Sequence, residues 1–275
     1  MIGLRSEGFT ADVVPELGGG LASFRHNAID LLRPASGRDP FELSSFPLVP
    51  YPGRIRHGRF ANVSLPPNRH GFPYPLHGHG WLAKWELVKQ GADCCHLTLR
   101  HAADYWQWSY RAELIYRLDA NGLAMELSVH NLADDAMPLG LGQHPYFPGG
   151  AKIRTKLSHV LVPEADLVAD RAEKIPKEWG FGAEHQVGSV SLDHGFAGWT
   201  GSADLLWPDR ALKVTASAEG RFLQIYAPPG ENFFCLEPMS CLANAVNWPD
   251  AEFSGLKRLE PGAAARLDCR IDLAS

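Results

Sequence analysis

Cysteine is scarce and unpatterned in this sequence of 275 residues. Five occur, Cys94, Cys95, Cys235, Cys241 and Cys269, and no two form a CxxC pair. Adjacent Cys94 and Cys95 have poor geometry for bridging each other. All five are expected to be reduced packing residues in a cytoplasmic protein. The chain as given opens with no charged-then-apolar leader, and no apolar run approaches the ~20 residues of a membrane-spanning helix. Secretion and membrane insertion are therefore not expected. A basic block is missing too. The 26 Lys and Arg stand against 31 Asp and Glu, dispersed along the chain, for a formal charge of -5. That balance argues against nucleic acid and acidic membrane surfaces as partners. Neither GxGxxG nor GxxxxGK[ST] occurs, so no nucleotide cofactor is implied. Gly/Ser linkers, low-complexity tracts and fixed-period repeats are also lacking, and residues 1–275 are expected to form one domain.

Glycine and proline, by contrast, are plentiful. The 27 Gly and 21 Pro are spread through the whole length and cut it into short pieces. Helical periodicity is weak, and 164–174 is the best short candidate for a helix. Period-two alternation is common. In 110–118, Tyr110, Ala112, Leu114 and Tyr116 oppose Arg111, Glu113 and Arg117. In 123–130, Leu123, Met125, Leu127 and Val129 oppose Ala124, Glu126, Ser128 and His130. The "DANG" between them predicts a hairpin whose Asn121-Gly122 supplies the positive φ of a tight turn. Leu212 and Val214, and then Leu267, Cys269, Ile271 and Leu273, repeat the pattern, and 221–227 also reads as a strand. Many strands with one apolar face predict an all-β fold, a large antiparallel sandwich or barrel with few short helices. A chain of this length buries about three-quarters of its unfolded surface, so it needs no disulfide or metal staple.

Four stretches carry residues suited to chemistry. They are "PYPGRIRHGRF" at 50–60 with Arg54, "LHGHGW" at 76–81 with His77 and His79, "GLGQHPYF" at 140–147 with His144, and "FFCLEPMS" at 233–240 with Glu237. In the last, one carboxylate follows an apolar run that reads as a buried strand, which Pro238 is expected to end. Each has a plain structural reading: a surface ion pair for Arg54, a turn for the glycines around His77 and His79, a satisfied core histidine for His144, and a buried pair with arginine for Glu237. Together they suggest more. Burial raises a carboxyl pKa and makes it a better proton acceptor. Histidine titrates near neutrality and can deliver a proton. Arginine presents a planar fork of donors to oxygen-rich ligands. Trp81, Tyr146 and Phe147 can pack on the apolar face of a sugar ring. A donor, an acceptor and a polyol clamp describe acid–base work on a carbohydrate.

Two rival chemistries use the same residues. Glycoside hydrolysis needs a second carboxylate flanking the bond, for which Asp193 is the candidate. A cupin-like metal site would take His77 and His79, sharing one face if they lie in a strand, with Glu86 and His144. Glu86 follows His79 by seven residues, longer than that pattern wants.

These stretches together resemble the aldose 1-epimerase (galactose mutarotase-like) family. The resemblance runs nearly end to end, through "LGGGLASF" at 17–24, "DLLRP" at 30–34, "GRF" at 58–60, "LHGHGW", "HPYF", "LDHGF" at 192–196, "LEPMS" and "LEPG" at 259–262. It implies a large antiparallel β-sandwich with a concave sugar site and no metal or other cofactor. It implies His144 as general acid towards the ring oxygen and Glu237 as general base towards the C1 hydroxyl. It implies Arg54, His77 and Asp193 as sugar-binding residues; Tyr146 is a further candidate substrate contact, and His79 a candidate either for touching the sugar or for supporting the residues that do. Many relatives carry Asn on each side of the first loop, where this chain has Val49 or Pro50 and Gly53. With no Arg/Lys cluster to mark a phosphate, a neutral aldose is expected. The alternative within the same fold is a sugar-binding protein without turnover.

Overall fold

The structure is a computed structural model that describes residues 1–274, and its sheets are built of antiparallel strands joined by loops. The α-helix among the described residues, Ala251–Ser254, is one turn long. No helix of the described residues is long and apolar enough to cross a membrane.

A nine-stranded sheet runs in the order His185–Gln186, Lys152–Thr155, Ser202–Leu206, Ala211–Ala216, Ala264–Ala274, Gly122–Asn131, Tyr110–Leu118, Cys94–His101 and Glu86–Gln90. A second sheet runs through Ala169–Lys174, His159–Pro163, Leu192–Ala197, Phe222–Ala227, Phe233–Met239, Gly142–Gln143 and Pro47–Leu48, with Tyr146–Pro148 also paired to Phe233–Met239. Four N-terminal strands between Ile2 and Asp30 form a smaller sheet. The two large sheets bury one shared core. Leu114, Leu127, Val214 and Ile271 enter it from the first, and Leu223, Ile225, Phe234 and Leu236 from the second. Each such side chain contributes about 1.5–3 kcal/mol when fully buried.

The second sheet is covered on its other face as well. Cys235, Met239, Tyr146 and Leu161 pack there with Phe46, Leu76 and Trp81 from the loops that cross it. This explains the apolar run at 233–239. Successive side chains point to opposite faces, and here both faces are buried. Phe234 and Leu236 face the shared core, while Cys235, Glu237 and Met239 face the loops.

Three expectations are corrected. The hairpin of 110–118 and 123–130 forms, with Leu114 opposite Leu127 and Tyr116 opposite Met125. In its turn the positive φ falls on Gly122 (+157°) and not on Asn121. The Asp119 carboxylate accepts from the backbone N–H of Asn121 at 2.9 Å and Gly122 at 3.2 Å, a side-chain closure typical of Asp in turns. Residues 164–174 are not helical. A tight turn, with the Leu167 N–H donating to the Glu164 carbonyl, leads into the edge strand Ala169–Lys174. Ala169 and Ala172 are the residues that pack inward, and their spacing of three imitates a helix. Pro238 does not end its strand, which continues to Met239. On one side of that strand, Tyr146–Pro148 pairs with residues 233–235 and Gly142 pairs with Met239. The ladder on that side is broken opposite 236–238. A residue lacking an N–H is tolerated there, and the same gap brings His144 beside Glu237.

Candidate active site

The loops over the second sheet leave a cavity of about 410 Å³, within the range of about 300–1,000 Å³ usual for small-molecule sites. Arg54, His77, His144, Tyr146, Asp193 and Glu237 all line it. The sequence scatters these six over 184 positions, and the sheet gathers them. Glu237 stands on the central strand, with Gln224 directly across from it on the neighbouring strand. Gln224 Nε2 donates to Asp193 Oδ1 at 2.8 Å.

His144 Nε2 lies 3.3 Å from Glu237 Oε1. Phe46 stacks against the imidazole at 4.5 Å and Tyr146 at 4.8 Å, between ring centroids, and these two rings also touch each other at 6.2 Å. The backbone N–H of His144 donates to the Phe46 carbonyl. The ring is thus fixed in orientation. Its Nδ1 and Glu237 Oε2 are buried without a hydrogen-bond partner. Burial lifts the Glu237 carboxyl well above its ordinary range; Asp193 lifts it further, while Arg54 opposes this. Burial also pushes the His144 imidazolium down to about 3, a tendency its own backbone opposes and Arg33 reinforces. Both directions favour an uncharged pair, in which Glu237 holds the proton and His144 accepts.

His77 owes its place to an unusual backbone. Its φ is +57°, a region that non-glycine residues enter at a cost of about 1–3 kcal/mol and that clusters at functional sites. Gly78 follows with φ +67°, where a Cβ would meet the Val49 carbonyl oxygen at 2.2 Å. The Gly53 N–H donates to His77 Nδ1 at 3.0 Å. In the neutral ring Nε2 therefore carries the proton. Burial holds the His77 pKa down, and His144 and Arg54 add to that. Arg54 reaches the Leu167 carbonyl at 3.4 Å.

His79 and Trp81 lie elsewhere. The segment is a turn followed by the 3-10 turn Gly80–Leu82, not a strand, so His77 and His79 do not share a face. His79 Nε2 meets the Tyr110 hydroxyl at 2.6 Å, and its ring lies 4.0 Å from that of His101. It does not line the cavity, which corrects its expected role as a substrate contact. Trp81 donates to the Leu76 and Gly78 carbonyls and braces the loop from behind. Phe147 belongs to the shared core, away from the cavity. Glu86 stands exposed on the edge strand, so the cupin-like set of His77, His79, Glu86 and His144 does not assemble.

Sequence reasoning missed Arg33, Gln224, Tyr226, Phe41 and Phe72, all of which line the cavity. The Arg33 guanidinium carbon sits 3.9 Å from the Tyr146 ring centroid, and Nη2 donates to the Phe41 and Leu43 carbonyls. Gln224 had a signal: one polar residue facing inward in "FLQIYA", the same oddity that marks Glu237.

Comparison with known proteins places the chain in a family. A sequence profile described as aldose 1-epimerase matches residues 1–272. The uncharacterized Escherichia coli K12 protein YphB is 31% identical over 275 residues, spanning 94% of this chain and 93% of that one. YihR of the same organism is 25% identical over 255 residues, spanning 84% and 81%. A crystal structure of an Escherichia coli K12 protein matches with a TM-score of 0.92 at 28% identity, covering 99% of this chain and 98% of the other. A galactose mutarotase-like protein from Clostridium acetobutylicum matches in fold, with a TM-score of 0.90 at 19% identity, covering 99% and 94%. Fold, end-to-end sequence match and the gathered "HPYF" and "LEP" residues converge, and the chain belongs to the aldose 1-epimerase family.

Proposed function

We propose that the protein is a mutarotase, which interconverts the α and β anomers of a free aldose by opening and reclosing its hemiacetal. One observation carries the reading: Glu237 and His144 stand 3.3 Å apart, lining one sugar-sized cavity. In the reactive form Glu237 is a carboxylate and His144 an imidazolium. Glu237 takes the proton of the C1 hydroxyl, His144 protonates the ring oxygen, and the C1–O5 bond breaks. The open aldehyde rotates about C1–C2. Closure on the other carbonyl face returns both protons. Arg54, His77 and Asp193 hold hydroxyl groups around the ring, with Tyr146 beside them.

The burial of the pair has a kinetic meaning in this scheme. Ring opening turns a charged pair into a neutral one, which is the state the dry cavity favours. The environment therefore pulls the hemiacetal towards the aldehyde. Because the pair carries one proton throughout, no outside acid or base is required.

The test is polarimetry of freshly dissolved α-glucose and α-galactose with Glu237→Gln and His144→Ala. Each substitution is expected to slow the enzyme by roughly 10²–10⁴. Wild-type rates in either variant would remove that residue from its role. Sugar binding by the native protein without faster anomer exchange would favour a binding protein of the same fold.

A further inference from the structure

A third group stands beside the acid–base pair. Cys235 precedes Glu237 by two residues, so the strand turns both side chains to the same face. Its partner across the ladder is Tyr146, two residues after His144. A ligating nitrogen of His144, Sγ of Cys235 and a carboxylate oxygen of Glu237 all lie within 4.8 Å of one another. All three side chains are buried, and Glu237 Oε2 is left without a hydrogen-bond partner. Proton transfer to a sugar makes no use of a thiol, and Cys235 does not line the cavity. Its sulfur sits behind the pair.

We propose that His144, Cys235 and Glu237 form a binding site for zinc or another thiophilic divalent cation, and that the bound cation switches off sugar turnover. Zinc ligands lie at about 2.0–2.2 Å for nitrogen and oxygen and about 2.3 Å for sulfur. A tetrahedron of those bonds has a nitrogen–oxygen edge of about 3.3–3.5 Å, and the observed His144–Glu237 separation is 3.3 Å. The edges to sulfur are about 3.6 Å, so from separations within 4.8 Å the thiol need move inward by about 1.2 Å at most, a side-chain adjustment. Charge also balances. One divalent cation, one thiolate, one carboxylate and a neutral imidazole sum to zero, so the burial that opposes each anion alone does not oppose the set. The thiol proton, and the carboxyl proton where present, pass to solvent on binding. Since His144 and Glu237 line the cavity, the fourth position opens into it and takes water. Three protein ligands and one open position suit zinc, and the thiolate selects against magnesium and calcium.

Metal binding here is independent of the proposed activity; inhibition rests on it. The test strips the protein with a chelator and titrates it with Co²⁺, an optical stand-in for zinc. The expected result is one Co²⁺ per chain, with the visible bands of tetrahedral coordination and a near-ultraviolet thiolate band, both lost on adding Zn²⁺. Cys235→Ser should lose the thiolate band and bind Co²⁺ at least tenfold more weakly. It should keep the metal-free anomerisation rate and need at least tenfold more Zn²⁺ for half-inhibition. Cys235→Ala serves where the serine hydroxyl disturbs packing, and matching thermal midpoints verify the fold. No saturable binding in the native chain, an unchanged spectrum in the Cys235 variants, or equal Zn²⁺ sensitivity would overturn the proposal. Cobalt bands without anomerisation would leave the metal site standing and remove the mutarotase reading; anomerisation without cobalt bands would do the reverse.

Discussion

The two large sheets share one core but meet their surroundings differently. The outer face of the nine-stranded sheet is wet, and its charges pair with each other: Lys213 and Arg154 with Asp204, Arg270 with Asp119 and Asp272, and Arg266 with Glu126. Such exposed pairs contribute about 0–1 kcal/mol each. The outer face of the other sheet is roofed by loops, and its polar groups answer to a cavity instead. Glu237 and His144 are nearly inaccessible to solvent, and each keeps an unpartnered buried atom. The same strand chemistry thus yields a charged, wet surface on one side of the sandwich and a buried cavity lined by titratable groups on the other. The cover, not the strand, makes the difference, because removing water raises the cost of every unmatched charge.

Substitutions can sharpen or break this contrast. The largest effect is expected at Phe234, which points into the shared core while its neighbours Cys235 and Glu237 point the other way. Phe234→Ala should cost about 3–5 kcal/mol in denaturant unfolding, with little change in anomer exchange per folded molecule. A kinetic collapse with stability intact would erase the distinction between the two faces.

A smaller effect of opposite sign is expected from Glu237→Gln on stability. Burial raises the Glu237 pKa in the folded state. Above the unfolded value of about 4.3, the unfolded chain gains from ionising and the folded chain does not. Stability is therefore lost as pH rises from that value towards the folded one. The amide has no such loss. Glu237→Gln should be the more stable protein at pH 8 by about 0.5–2 kcal/mol, with the advantage shrinking towards pH 4. Thermal unfolding across that range checks it, and a variant less stable at pH 8 would contradict the burial argument.

The smallest effect belongs to the wet face. Lys213→Ala removes the 2.6 Å contact to Asp204 and should change stability by no more than about 1 kcal/mol, leaving anomer exchange untouched. A change in rate would mean that the outer face communicates with the cavity.

The contrast also explains what could be read from the chain. On the nine-stranded sheet one face is wet, so Leu114, Leu127 and Ile271 alternate visibly with Glu113, Glu126 and Asp272. On the roofed sheet both faces are buried, alternation vanishes, and only an isolated polar residue such as Glu237 marks the cavity side. Gln224 carries the same mark, but an amide by itself suggests no proton chemistry. His79 misled because adjacent glycines hide the backbone path; a positive φ at His77 turns it one way and His79 another. Arg33 was unreadable because its place depends on Tyr146, 113 positions later, and on carbonyls of the intervening loop.

The central claim is that Glu237 and His144 act as one unit that shares a proton across 3.3 Å. The direct measurement is anomer exchange in the double variant Glu237→Gln/His144→Ala beside each single one. Groups that work as a unit are not additive, so the double variant should be about as slow as the slower single variant. Losses that multiply, each residue removing its own factor regardless of the other, would contradict the account.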